Sequence, residues 1–229
     1  MTGVGVLGVD GWHAGWVGAL VEADRVEWQL FSDAASIVAA DADAIAIDMP
    51  MGLVDRGRRA CDVAARNTLG PARASVFFAP PRIVVARPAE AYADALAWLR
   101  ANGEELMSAQ AFGIVAKVRD VDSAVTPDLQ RCVVEAHPEL SFRRLAGRDV
   151  MPAKKTAAGV AARIRALSRW RDDIVDVLAA APVGVPVDDA LDALACAWTA
   201  ERWHRRAPDL LVLGDGARDA RGLAMRIVV

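Results

Sequence analysis

Residues 3–9 (GVGVLGV) form an apolar run with no polar face, the pattern of a central strand covered on both sides. Asp10-Gly11 interrupts the run and predicts the end of that strand. Residues 15–22 (GWVGALVE) and 26–31 (VEWQLF) read as two more strands, with Ala23-Asp24-Arg25 as the hairpin turn between them. Ser32 is placed to cap a short alanine-rich helix over 33–40. Ala44-Ile45-Ala46-Ile47 is a second buried strand and runs into Asp48-Met49-Pro50. The chain thus opens β-β-β-α-β, with an acid at the carboxyl end of its first and fourth strands.

From 52 to about 130 the pattern is mainly helical, with helices expected near 57–69, 89–101 and 104–119 and loops around Gly70-Pro71 and Ala79-Pro80-Pro81. Residues 131–136 (RCVVEA) return to strand, and a helix over about 156–170 comes after Lys154-Lys155. After Pro186 a strong helix is expected over about 188–205, and Leu223 to Val229 reads as a last strand. No flexible linker or internal repeat divides the chain. The expectation is an α/β fold with a mixed sheet flanked by helices, one domain over 1–229 with a helical insertion at about 52–130.

Composition narrows the class. The 229 residues are 54% hydrophobic and 25% charged, enough for a large core and against disorder. Mean hydropathy is +0.22, but no stretch of about 18 uninterrupted apolar residues suggests a membrane span. The first apolar run lacks a basic flank and leads into Asp10, which argues against a signal peptide. Cys61, Cys132 and Cys196 are far apart and odd in number, so three thiols in a reducing, cytoplasmic setting are expected rather than disulfides or zinc. The net charge is −3 and the pI about 5.7. A wholly basic nucleic-acid coat is excluded; a local basic face is not.

The acids carry the chemistry. Parallel strands bring their carboxyl ends to one edge of a sheet, where ligands bind, so Asp10 and Asp48 meet there if their strands are neighbours. Asp188-Asp189-Ala190-Leu191-Asp192 adds acids near a helix start. Asp188 is the expected N-cap and Asp189 suits the helix dipole, whereas Asp192 sits among Leu191, Ala193, Leu194 and Ala195, where an unpaired carboxylate is costly. A metal ion or a salt bridge would satisfy it. Ala195, Cys196 and Thr199 continue the same face with small residues, which permits close approach to the sheet. Glu135, at the end of another apolar strand, is expected as a fourth catalytic carboxylate. Glu139 reads as a cap for the next element, and His137 as structural or as an acid–base group. Oxygen ligands without cysteine favour Mg²⁺ or Mn²⁺. Two such ions about 3.5–4 Å apart can activate water against a phosphodiester.

Several motifs together resemble a widespread family of predicted nucleases, domain-of-unknown-function family 429. These are Gly8-Val9-Asp10-Gly11-Trp12, Ala46-Ile47-Asp48-Met49-Pro50-Met51-Gly52, Ser75-Val76-Phe77 and Val134-Glu135-Ala136-His137-Pro138-Glu139. Lys154-Lys155 with Gly159, and Asp188-Asp189-Ala190-Leu191-Asp192-Ala193-Leu194, complete the set. The resemblance spans nearly the whole chain and implies an RNase H-like fold. The last motif is also similar to the terminal acidic helix of Holliday-junction resolvases, which implies Asp10, Asp48, Asp189 and Asp192 as metal ligands.

Substrate contacts are sought among cations and rings. Between 55 and 88, seven arginines (Arg56, Arg58, Arg59, Arg66, Arg73, Arg82, Arg87) stand against Asp55 and Asp62, a local excess of five positive charges. Arg58, Arg59, Arg66 and Arg73 come after the Asp48 strand and are the expected phosphate contacts, with Lys117 and Lys154 as weaker ones. Trp12 is placed to stack on a base, while Trp98, Trp198 and Trp203 have helical spacing and read as core. Ser75 has no His/Asp arrangement near it, against a serine hydrolase. The reading is a Mg²⁺- or Mn²⁺-dependent nuclease acting on DNA or RNA, with no membrane partner and homo-oligomer formation left open. The alternatives are a phosphohydrolase of small nucleotides and a non-catalytic nucleic-acid-binding protein. An actin-like kinase needs a duplicated domain, for which the chain is too short.

Overall fold

The computed structural model of the protein describes residues 5–23, 25–87, 91–147 and 151–229. Five strands form one sheet: β1 (Gly5–Trp12), β2 (Gly15–Glu22), β3 (Arg25–Phe31), β4 (Ala44–Ile47) and β5 (Val133–Glu135). Their order is β3-β2-β1-β4-β5. The first three make an antiparallel meander, and β4 and β5 then add in parallel to β1. Asp10-Gly11 does not end β1 as the sequence suggests. Asp10 pairs across from Val17 and the strand continues to Trp12, because the β2 hairpin extends the ladder past the apolar run. Asp24 of the β2–β3 turn lies outside the described residues; the flanking Glu22 and Arg25 are paired.

Helix α1 (Ala34–Val38) connects β3 to β4. Its N-cap is Asp33, whose carboxylate accepts the Ser36 N–H at 2.8 Å; Ser32 instead donates to Asp33. Between β4 and β5 lie α2 (Ala60–Leu69), α3 (Arg82–Val85), α4 (Tyr92–Ala101), α5 (Ala109–Gly113) and α6 (Val115–Ala124). The helix expected at 104–119 is thus two, displaced along the chain. That expected at 89–101 begins at Tyr92, its first two positions lying outside the described residues. After β5 come α7 (Pro138–Ala146), α8 (Ala157–Leu167), α9 (Ile174–Ala179) and α10 (Val187–His204). The expected last strand shrinks to β7 (Ile227–Val228), which pairs antiparallel with β6 (Val212–Leu213) in a separate ribbon. Val228 also bridges to Ala136 beyond β5.

Side-chain alternation sorts the sheet into two faces. Val6, Ala44, Ala46, Val134 and Ala136 face α7, α8 and α10, while Leu7, Val9, Ile45, Ile47 and Val133 face α1 and α6. Gly8 belongs to the first set. A Cβ there would lie 1.9 Å from the Ala197 backbone nitrogen and 2.2 Å from the Ala193 carbonyl oxygen, so its absence lets the backbone of α10 rest on β1. Among the described residues no helix is long and apolar enough to cross a membrane. The three cysteines are free.

Candidate metal centre

The same alternation that puts Gly8 under α10 puts Asp10 two residues on, on the same face. Asp48 comes after Ala44 and Ala46 on that face of β4. The registers Val9↔Ile47 and Gly8↔Ala46 make the two acids neighbours at the carboxyl ends of adjacent parallel strands. The Asp48 N–H donates to the Val9 carbonyl at 3.0 Å, locking that placement. Helix α10, drawn in by Gly8, lays Asp192 over them. One oxygen from each of Asp10, Asp48 and Asp192 lies within 4.8 Å of the others.

Asp10 and Asp192 are buried and Asp48 half-buried. Burial, then the neighbouring Asp48, Asp192 and Asp189, pushes the Asp10 carboxyl well above the usual range. Burial and Asp192 raise Asp48 to about 8. Asp192 rises less, to about 6, because Lys154 opposes the effect of burial. Lys154 Nζ donates to Asp192 Oδ2 at 2.8 Å and lies 3.8 Å from Asp188. Gly159 fixes its position: a Cβ there would meet the Ala153 carbonyl at 2.0 Å, so α8 packs directly on the segment carrying Lys154. Beside the cluster, the Cys196 thiol is pushed upward by burial and by these carboxylates, which favours the neutral thiol.

Asp188 is not the helix cap. Pro186 holds that position, leaving Asp188 and Asp189 in the first turn of α10. Asp189 is half-buried and lines the cavity above the three acids without joining their cluster.

That cavity is about 580 Å³. Its walls come from the β4 and β5 ends, the short segment 72–77, Gly113 to Lys117, and Met151 to Lys154. Seven acidic and four lysine or arginine side chains border it, so acids outnumber bases by three. Lys154 lines it, and so does Lys117. Its Nζ donates to the Gly15 carbonyl at 2.5 Å and lies 4.4 Å from the Trp16 ring centroid.

Other expected site residues are placed differently. Glu135 pairs in register with Ile47, so it takes the opposite face parity from Asp48. Both its oxygens accept from Arg59 at 2.7 Å, and the Met51 N–H donates to it at 2.7 Å. It borders the cavity as half of an ion pair, not as a fourth open ligand. Arg59 is correspondingly buried, 1% exposed, and also bridges to Asp62. It lines the cavity with its guanidinium already engaged by these two carboxylates. Arg58 pairs with Glu105 at 2.6 Å and covers the Phe78 ring, which Arg66 also approaches while donating to the Val76 carbonyl. Arg56 pairs with Glu104, and Arg82 with Asp122 and Asp219. Arg73 is exposed in the 3₁₀ segment over residues 70–75. The positive excess counted along the sequence is therefore largely neutralised in space by acids 40 or more residues away. Trp12 does not line the cavity; it packs on the α10-side core and edge-on to His13 at 4.7 Å.

Sequence reasoning overlooked Arg163, buried in α8, which pairs with Glu139 at 2.5 Å on the cavity wall. Nothing in an alanine-rich helix signals it. It also missed α7, which carries Glu139, although Pro138 at its first turn and the left-handed Gly147 at its end are start and stop signals.

Fold and site together define an α/β protein whose mixed sheet presents a cluster of buried carboxylates at one end. Residues 8–213 match the model of a family described as "Protein of unknown function (DUF429)", and the chain belongs to that family. No curated protein and no solved structure matches it.

Proposed function

We propose that this protein is a divalent-cation-dependent nuclease with an RNase H-like fold. The observation that carries the reading is the convergence of Asp10, Asp48 and Asp192 at adjacent strand ends and on the helix above them. The strand order β3-β2-β1-β4-β5 supports the fold assignment. The donor set is all oxygen, and the raised pKa values of Asp10 and Asp48 mark carboxylates short of positive charge, which fits Mg²⁺ or Mn²⁺ rather than a softer metal.

Asp10, Asp48 and Asp192 would hold the cation, which supplies Lewis acidity toward a phosphoryl oxygen and lowers the pKa of a bound water. The side chains do the rest. Neutralisation of Asp192 frees Lys154 to turn toward a phosphate, with Lys117 also at the cavity. Asp189, one turn before Asp192, offers a carboxylate at the cavity to take the proton of the attacking water. The water oxygen bonds to phosphorus, the P–O ester bond breaks, and the leaving oxygen is protonated from solvent.

One observation favours the narrower alternative of a small-nucleotide phosphohydrolase: the acids sit in a walled cavity of about 580 Å³ rather than along an open groove. Turnover of single-stranded, duplex and junction DNA and RNA, beside a nucleotide panel, with Mg²⁺ or Mn²⁺ decides between them. Hydrolysis of strands that disappears in Asp48→Asn supports the nuclease. Turnover confined to nucleotides supports the alternative, and cation-independent binding without turnover leaves a non-catalytic protein.

A further inference from the structure

Helix α10 ends at His204, and Arg206 lies just beyond it in the left-handed region at φ 51°. Its N–H donates to the Trp203 carbonyl and the Ala207 N–H to the Arg202 carbonyl, a Schellman cap that closes α10 and fixes where Arg206 sits. Here it stands on the rim of a second cavity, about 710 Å³, at the amino end of β4. Asp43 borders this cavity and Asp48 the first; five residues of strand at about 3.3 Å each set them roughly 17 Å apart. The two cavities share no lining residue.

Four arginines border the second cavity: Arg131, Arg206, Arg218 and Arg226. Arg131 pairs with Asp128 at 3.3 Å. Among the described residues the other three have no carboxylate partner. The one acid on the lining, Asp43, accepts the Gly5 N–H at 3.1 Å. Three unpaired guanidiniums against one carboxylate leave an excess of two positive charges. Arg226 is held in place: its guanidinium lies 4.6 Å from the Trp203 ring centroid and donates to the Gln130 carbonyl at 2.7 Å. Arg218 is steadied by a 2.7 Å bond to the Gly222 carbonyl. Burial, and then the like charge of Arg218, makes Arg226 easier to deprotonate than an ordinary arginine. Among the described residues no carboxylate pairs with Arg226 to offset that repulsion; an anion would.

The geometry points to a binding site for a phosphorylated nucleoside at this cavity. Arginine forks match phosphate oxygens, and two neighbouring ones suit a multiply charged group. The volume lies in the range of small-molecule sites and exceeds what a bare phosphate fills. Trp203, Pro127 and Leu210 supply an apolar wall for the nucleoside. The phosphorylated nucleoside could arrive as a free nucleotide or as part of a single strand.

The test is a calorimetric titration of the whole protein in chelator, which silences the carboxylate centre. The probes are ADP, a short single-stranded oligonucleotide, adenosine and inorganic pyrophosphate. Saturable binding of ADP or the oligonucleotide, weakened about tenfold or more in both Arg218→Ala and Arg206→Ala, supports the site. Which of the two probes binds identifies the source of the nucleoside. Arg206 and Arg218 are exposed, so both variants should melt like the wild type, and a matching melt shows that any loss is local. The proposal is overturned if neither probe binds, if binding survives both substitutions, or if pyrophosphate binds as tightly as ADP. None of these outcomes bears on hydrolysis at the carboxylate centre.

Discussion

Lys154 Nζ lies 2.8 Å from Asp192 Oδ2, so in the metal-free protein a tethered ammonium partly neutralises the carboxylate cluster. The contact is a competitor for any cation that binds there. Lys154→Met should lower the metal-free stability by about 1 kcal/mol, a discounted figure because the lysine side chain is 42% exposed. The same change should enlarge the rise in melting temperature produced by Mn²⁺, since the ion no longer displaces a resident charge. Thermal melts with chelator and with Mn²⁺ read both effects. An unchanged Mn²⁺ response would show that Lys154 and the cation do not compete.

The raised Asp48 carboxyl predicts how the metal-free protein responds to pH. Burial and Asp192 hold it at about 8, above its ordinary 3.8, so the folded state binds a proton that the unfolded chain releases. That stabilisation is complete below the ordinary value and is lost progressively as pH rises to about 8. In chelator the melting temperature should fall between about pH 4 and pH 8, and Asp48→Asn should flatten the fall. Equal slopes in the two proteins would remove Asp48 as the cause.

Arg59 is predicted to matter for folding rather than for phosphate binding. Arg59→Met would leave Glu135 and Asp62 buried without their cation and should cost about 3–5 kcal/mol in urea unfolding. Adding Glu135→Gln and Asp62→Asn should recover much of the loss. A stable Arg59→Met protein with weakened nucleic-acid binding would contradict the ion-pair assignment.

Gly8 is predicted to control the site from beneath. Gly8→Ala drives a methyl into the backbone of α10 and should cost about 3 kcal/mol. Because α10 carries Asp192, the shift should also shrink the Mn²⁺-induced rise in melting temperature. A variant that loses stability but keeps the full Mn²⁺ response would separate helix packing from the carboxylate cluster.

The meander, the helix between β3 and β4, and the acids Asp10, Asp48 and Asp192 were legible because each rests on local pattern: an apolar run, a turn, a carboxylate at a strand end or inside an apolar helix. What failed needed non-local knowledge. Glu135 looks like Asp48 in sequence, but one residue of register reverses its face. The arginines after Asp48 look unpaired because their partners Glu104, Asp122, Glu135 and Asp219 lie far along the chain. Strand β6, two residues long, exists only through its pairing with β7 and has no pattern of its own.

Asp10 and Asp48 stand 38 residues apart in the chain, and Asp192 comes 144 residues later. During synthesis the first two can meet once β4 has paired with β1, but their third partner emerges only when α10 does. A ribosome-bound or prematurely terminated chain lacking α10 would therefore carry a half-built cluster. The three-acid cluster therefore waits on the folding of α10, although its first two members are set by the opening sheet.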